Sequence, residues 1–150
     1  MHCLESTITV PISLEEAWDF FSKPQNLLKV TPKKMNMRIL SQNLPEMYEG
    51  MVISYRVAPL FGIPLPWSSE ITTVEQNSYF VDSMIEGPFS VWHHEHHFTA
   101  VEGGTEVRDI INYKVPLGML GELFHPLLVK NQVQEIFAYR SEVIPKIFPG

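Results

Sequence analysis

Seven residues constrain this chain more than any others: Trp92-His93-His94-Glu95-His96-His97-Phe98, behind a Gly87-Pro88 break. In an extended strand successive side chains point to opposite faces. Trp92, His94, His96 and Phe98 then share one face, and His93, Glu95 and His97 share the other. The first face carries both large aromatics, so it is the inward one. Two imidazoles are thereby directed into the interior, and the chemistry of the protein is expected against that face.

The rest of the composition narrows the setting. A chain of 150 residues, 45% hydrophobic and 19% charged, is expected to fold as one globular domain over residues 1–150. A formal charge of −6 argues against nucleic acid as a partner. The single cysteine, Cys3, excludes an internal disulfide and a cysteine-rich zinc module. The first residues have neither the basic nor the apolar segment of a signal peptide. No uncharged apolar run approaches the ~20 residues of a membrane span. These features lead to the expectation of a cytoplasmic protein without stable membrane insertion.

Along the chain, Leu4 to Val10 alternates and reads as a strand that Pro11 ends. Ser13 and Glu16 match a capping box for a helix containing Trp18, Phe20 and Phe21. Pro24 closes that helix and opens a short second one, Gln25 to Val30. Strands follow at Met35 to Leu40, Met51 to Ala58, Trp67 to Glu75, Tyr79 to Glu86, Phe89 to Val101 and Thr105 to Val115, with a hairpin at Gly103-Gly104. The last strand places Val107, Asp109, Ile111, Tyr113 and Val115 on one face, and Asp109 is taken as the one inward acid of the second half. A short helical segment is read over Gly118 to Phe124. Pro126 suits the first turn of a long final helix, and Pro145 is expected to end or kink it. At ~100° per residue, Val129, Val133, Ile136, Val143, Ile144 and Ile147 form an apolar stripe with Arg140 near its middle. The fold class is therefore α+β: a curved antiparallel sheet wrapped around a long C-terminal helix.

This order resembles the START-like, or SRPBCC, superfamily with its helix-grip fold, most closely a bacterial branch of ligand-binding or cyclase/dehydrase-like proteins. The resemblance is carried by Gly87-Pro88-Phe89, by Trp92, His94, His96 and Phe98, by Gly104-Thr105 with Asp109, by Pro116-x-Gly118, and by Phe137-x-Tyr139-Arg140. It covers most of the second half, while the first half matches through the Trp18 helix and the general layout. It implies a hydrophobic cavity between sheet and C-terminal helix, which in the superfamily binds lipids, sterols, hormones or polyketides.

Binding of a small hydrophobic or amphipathic molecule is the leading reading. Trp92, Phe98, Tyr113 and Ile136 would give the cavity apolar wall, and His94, His96, Asp109 and Arg140 its few polar contacts. A guanidinium at the centre of a buried stripe needs a partner, which leads to an expected Asp109–Arg140 pair joined by His94 or His96. That pair reads first as a structural tie fixing helix against sheet and second as an anion or carboxylate clamp, with an Arg140 that snorkels out to solvent as the remaining reading. The competing reading is a cyclase or dehydratase acting on a polyketide-like substrate. Its catalytic candidates are His94, His96 and Asp109, with a histidine as the acid–base group. A third is an interaction module with a packed core. Two histidines two apart on a strand lie ~6–7 Å apart and can chelate a metal, with Asp109 as third ligand. No second pair or H-E-x-x-H helix accompanies them, so no metal or cofactor is assigned. The apolar loop Leu60 to Trp67 contains no lysine or arginine, which disfavours membrane docking; a pocket lid and a homodimer contact are the roles left to it.

Overall fold

A computed structural model describes residues 1–58, 63–116 and 130–149. Among these residues, seven strands form one sheet: β1 (His2–Val10), β2 (Arg38–Ile39), β3 (Val52–Val57), β4 (Leu65–Glu75), β5 (Tyr79–Glu86), β6 (Val91–Val101) and β7 (Gly104–Lys114). Their spatial order is β1-β7-β6-β5-β4-β3-β2, and every neighbouring pair is antiparallel. From β2 to β7 each strand pairs with its sequence neighbour, while β1 crosses to the far edge. Helix α1 (Leu14–Phe21) and the short α2 (Pro24–Leu27) lie between β1 and β2 in sequence, and α3 (Lys130–Ile147) follows the sheet. The expected helical segment over 118–124, the helix start at Pro126, Val129 of the stripe, and residues 60–62 of the apolar loop lie outside the described residues.

Local chemistry accounts for the boundaries. Ser13 Oγ accepts the Glu16 amide at 3.1 Å, as the capping box requires. The Glu16 carboxylate meets the Ser13 hydroxyl at 3.1 Å. The β6–β7 hairpin turns on Gly103, at φ +89°. Gly104 must also be glycine, because a Cβ there would lie 2.0 Å from the Val10 carbonyl oxygen on the neighbouring β1. The second strand is much shorter than the sequence pattern indicates: Lys33–Met35 turn as a 3-10 helix, and Asn36 adopts the left-handed conformation at φ 47°. Pro145 does not end α3. The helix continues to Ile147, and Phe148 N–H closes onto Ile144 O at 2.9 Å. So near the C-terminus the missing proline N–H removes only one of the last ladder bonds.

Among the described residues, three apolar clusters fill the interior. In the first, Trp18 of α1 meets the rings of Phe80 and Phe98 edge-on, and Ile144 of α3 packs with them. In the second, Val133 and Phe137 of α3 cover Trp92, Ile111 and Tyr113 of the sheet. The third joins Met51, Ile53, Tyr55 and Ile71 on β3, β4 and the turn before them. The buried line of α3 runs through Val133, Phe137, Arg140 and Ile144. Phe137 belongs to it, although the aliphatic stripe read from the sequence omits it. Val143, Ile147 and Ile136 are only partly buried at its flanks.

Candidate functional site

Between the sheet and α3 lies a cavity of about 290 Å³. Its walls are almost wholly apolar: Met35, Ile53, Tyr55, Trp67, Trp92 and Phe137 are representative. Trp67 meets Trp92 edge-on at 5.2 Å between ring centroids, so the β4 end of the apolar loop forms part of the wall. The charged or titratable wall residues are Lys23, Asp82, His94, His96 and Arg140, together with the Tyr55 phenol.

Register explains how four of these groups meet. On β6, His94 stands opposite Asp82 of β5, and His96 stands opposite Asp109 of β7. The closest contacts run along the diagonals, which are within reach of long side chains. His94 Nε2 donates to Asp109 Oδ1 at 2.9 Å, and His96 Nε2 donates to Asp82 Oδ2 at 2.5 Å. His96 Nδ1 lies 3.3 Å from Asp109 Oδ1, and His94 Nδ1 lies 3.8 Å from Asp82 Oδ2. Arg140 Nη1 reaches the same Asp109 oxygen at 3.4 Å. The two imidazoles stack at 3.7 Å between centroids, and Phe80 stacks on the far side of His96 at 4.1 Å. Arg140 lies over the Phe137 ring at 4.8 Å. Its Nε is the one buried side-chain nitrogen or oxygen among the described residues without a hydrogen-bond partner.

The cluster joins two carboxylates, two imidazoles and one guanidinium. Two carboxylates against one guanidinium leave one negative charge, which a single imidazolium would cancel. Burial raises the pKa of Asp109, but hydrogen bonds from His94 and His96 and the Arg140 charge outweigh it and hold the carboxyl well below its usual range. Burial likewise works against the Asp82 carboxylate, yet the His96 hydrogen bond and both imidazoles bring it down. For His96, burial favours the neutral ring, while hydrogen bonds to Asp109 and Asp82 prevail and raise its pKa. His94 goes the other way: burial, then the neighbouring His96 charge, lowers it. Of the two rings, His96 therefore holds a proton more readily than His94. Burial, reinforced by the Asp82 charge, pushes the Tyr55 phenol above its ordinary range.

The residues singled out from the sequence separate into two groups. Trp92, His94, His96, Ile136 and Arg140 line the cavity. Asp109, Phe98 and Tyr113 do not: Asp109 sits behind the histidines, Phe98 is buried among Trp18, Phe21 and Phe80, and the Tyr113 ring packs against Phe89, Trp92 and His2. Both aromatics project from the inward face, but helices α1 and α3 and the first strand's neighbourhood leave the cavity only part of that face. The Asp109–Arg140 pair is present, and His94 joins it. Asp109 is not the one inward acid of the second half, because Asp82 also points inward. The signal for Asp82 was available in the alternation of β5, where it shares a face with buried Phe80. The position opposite His94 required the strand register.

The sheet gripping a C-terminal helix, with an apolar cavity between them, defines a START-like, SRPBCC-type protein. A family model described as polyketide cyclase / dehydrase and lipid transport matches residues 10–137, and the chain belongs to that family. No curated protein matches the chain at a significant level. Among solved structures, a protein from Thermus thermophilus superposes with a TM-score of 0.70 at 17% identity, over 97% of this chain and 99% of that one. Major latex-like protein 151 from Panax ginseng gives 0.71 at 13% identity, covering 99% of this chain and 98% of its own. A START superfamily protein from Mycobacterium smegmatis gives 0.65 at 13% identity, covering 99% and 97%. At these identities the likeness is one of fold. Among the described residues, no helix is long and apolar enough to cross a membrane.

Proposed function

We propose that this chain, acting as a single cytoplasmic domain, binds one small hydrophobic or amphipathic molecule in the cavity between sheet and α3. The carrying observation is the lining: an apolar wall interrupted by the compact group of Asp82, His94, His96 and Arg140. That division between apolar body and few polar contacts is usual for small-molecule sites. The unpartnered Arg140 Nε adds a buried donor on the same wall, suited to an acceptor atom of the ligand. The family description, with its lipid transport and cyclase members, is consistent with this reading.

The test has two parts. Untagged protein is compared in native and denaturing mass spectrometry, where a bound ligand gives an added mass that denaturation releases. Binding of a fluorescent naphthalenesulfonate probe is then compared between the parent and Ile53→Trp, which fills the cavity. Probe affinity lost in Ile53→Trp supports the cavity as the site, and unchanged affinity overturns it. The cyclase or dehydratase alternative predicts turnover abolished by loss of His94 or His96, whereas binding predicts affinity that survives either loss.

A further inference from the structure

We propose that Asp82, His94 and His96 form a binding site for one divalent transition-metal ion of the zinc type on the wall of the cavity. This goes beyond the binding of an apolar molecule and does not depend on it.

One ligand atom from each of the three residues lies within 4.8 Å of the other two. The set differs from the H-x-H plus Asp109 arrangement drawn from the sequence. Asp109 instead has the supporting role: its Oδ1 is 2.9 Å from His94 Nε2 and 3.3 Å from His96 Nδ1. Metal-binding histidines typically give their second ring nitrogen to a carboxylate in this way, which fixes ring orientation. With those nitrogens engaged, His94 Nδ1 and His96 Nε2 both lie toward Asp82, at 3.8 and 2.5 Å from its Oδ2.

The His94–Asp82 contact is informative. Because His94 donates through Nε2, its Nδ1 offers a lone pair, and the atom nearest it on Asp82 also offers lone pairs. Two acceptors 3.8 Å apart do not hydrogen-bond, but they suit two bonds of ~2.0–2.1 Å to a shared cation. The ion replaces the proton between His96 Nε2 and Asp82; that contact opens by roughly 1 Å to reach tetrahedral spacing, and the two rings, stacked at 3.7 Å and 24°, tilt out of their stack so that both lone pairs meet at the ion. Two imidazoles and one carboxylate favour zinc, cobalt(II) or iron(II) over calcium or magnesium, which prefer all-oxygen shells. All three residues line the cavity, so the remaining coordination positions face it.

The experiment uses untagged full-length protein stripped with chelator and desalted. It is titrated with cobalt(II) by visible absorption, then loaded with zinc, dialysed and measured by elemental analysis. One ion per chain is expected, with X-ray absorption on the zinc form showing two imidazoles. Asp82→Ala and His96→Gln should weaken cobalt(II) binding at least ~100-fold and Asp109→Asn about 10–100-fold, with folding checked by circular dichroism. The outer-face variant His93→Ala/His97→Ala should bind as the parent does. The site is overturned if the parent holds no stoichiometric metal, if zinc sees fewer than two imidazoles, if binding survives in Asp82→Ala, or if it disappears in the outer-face variant. The naphthalenesulfonate probe, bound to metal-free parent protein, reports on the apolar cavity separately.

Discussion

The two faces of β6 carry the same residue type in opposite circumstances. His94 and His96 retain 8% and 13% side-chain exposure, whereas His93 and His97 retain 43% and 34%. On the outer face both histidines meet Glu95 of their own strand, at 3.6 and 2.9 Å, and the Tyr79 ring stacks on His97. The Glu95 contacts stay within one strand and half in water, where ion pairs contribute little, and the cross-strand neighbours on β5, Tyr79 and the Ser83 hydroxyl at 3.3 Å from His93 Nδ1, carry no charge. On the inner face the polar partners are buried carboxylates from the two neighbouring strands, Asp82 from β5 and Asp109 from β7, and Asp109 in turn meets Arg140 of α3. A histidine between carboxylates in a dry interior becomes part of a network in which removing one member strands the others. The difference between the faces is one of surroundings rather than of residue type.

Asp109→Ala should separate the faces most sharply. It strips His94, His96 and Arg140 of a shared acceptor and leaves the buried guanidinium without its hydrogen-bonded partner, at a cost of about 3–5 kcal/mol in urea unfolding. A cost under ~1 kcal/mol would mean that the cluster does not tie α3 to the sheet. Arg140→Leu keeps the apolar packing over Phe137 and removes only one partner of Asp109, so a loss of about 2 kcal/mol is expected. Parent-like stability together with unchanged ligand binding would break the case for a buried pair.

Acid titration of chelator-treated protein sharpens the same comparison. Asp82 and Asp109 have lowered pKa values in the folded state, so the unfolded chain takes up their protons first as pH falls. Their contribution is complete above the ordinary carboxylate value of ~4 and is lost as pH drops through the folded value. Lowered His94 acts in the same direction below ~6.5. Raised His96 acts oppositely: its contribution is full below ~6.5 and declines as pH rises through its folded value. The urea midpoint should therefore fall on the acid side in the parent and fall much less in Asp109→Asn. Parallel acid slopes would place the responsible carboxylates elsewhere. The smallest effect belongs to the outer face: His93→Ala and His97→Ala should each change stability by no more than about 0.5 kcal/mol by thermal melting.

Much of the fold is legible from residue order. Alternation locates β1 and β3 to β7, Ser13 and Glu16 mark the start of α1, and Gly103-Gly104 marks the last hairpin, since these depend on neighbours a few residues away. The two-residue β2 is the exception. There Met35 is buried within a 3-10 turn, and tertiary packing overrides a weak local strand pattern.

For the site, the sequence by itself determined which histidines face inward and that Arg140 requires a partner. Period two on a strand and 3.6 on a helix are local properties, and an unpaired buried charge is costly in any fold. Only the tertiary structure decided that Asp82 joins the cluster, that Asp109 stands behind the histidines, and that Phe98 and Tyr113 fill packed core beside the cavity. These outcomes depend on the register of β5 and β7 against β6 and on where α1 and α3 close over the sheet. Register is a property of strand pairs, and a shift of one residue turns every side chain to the opposite face.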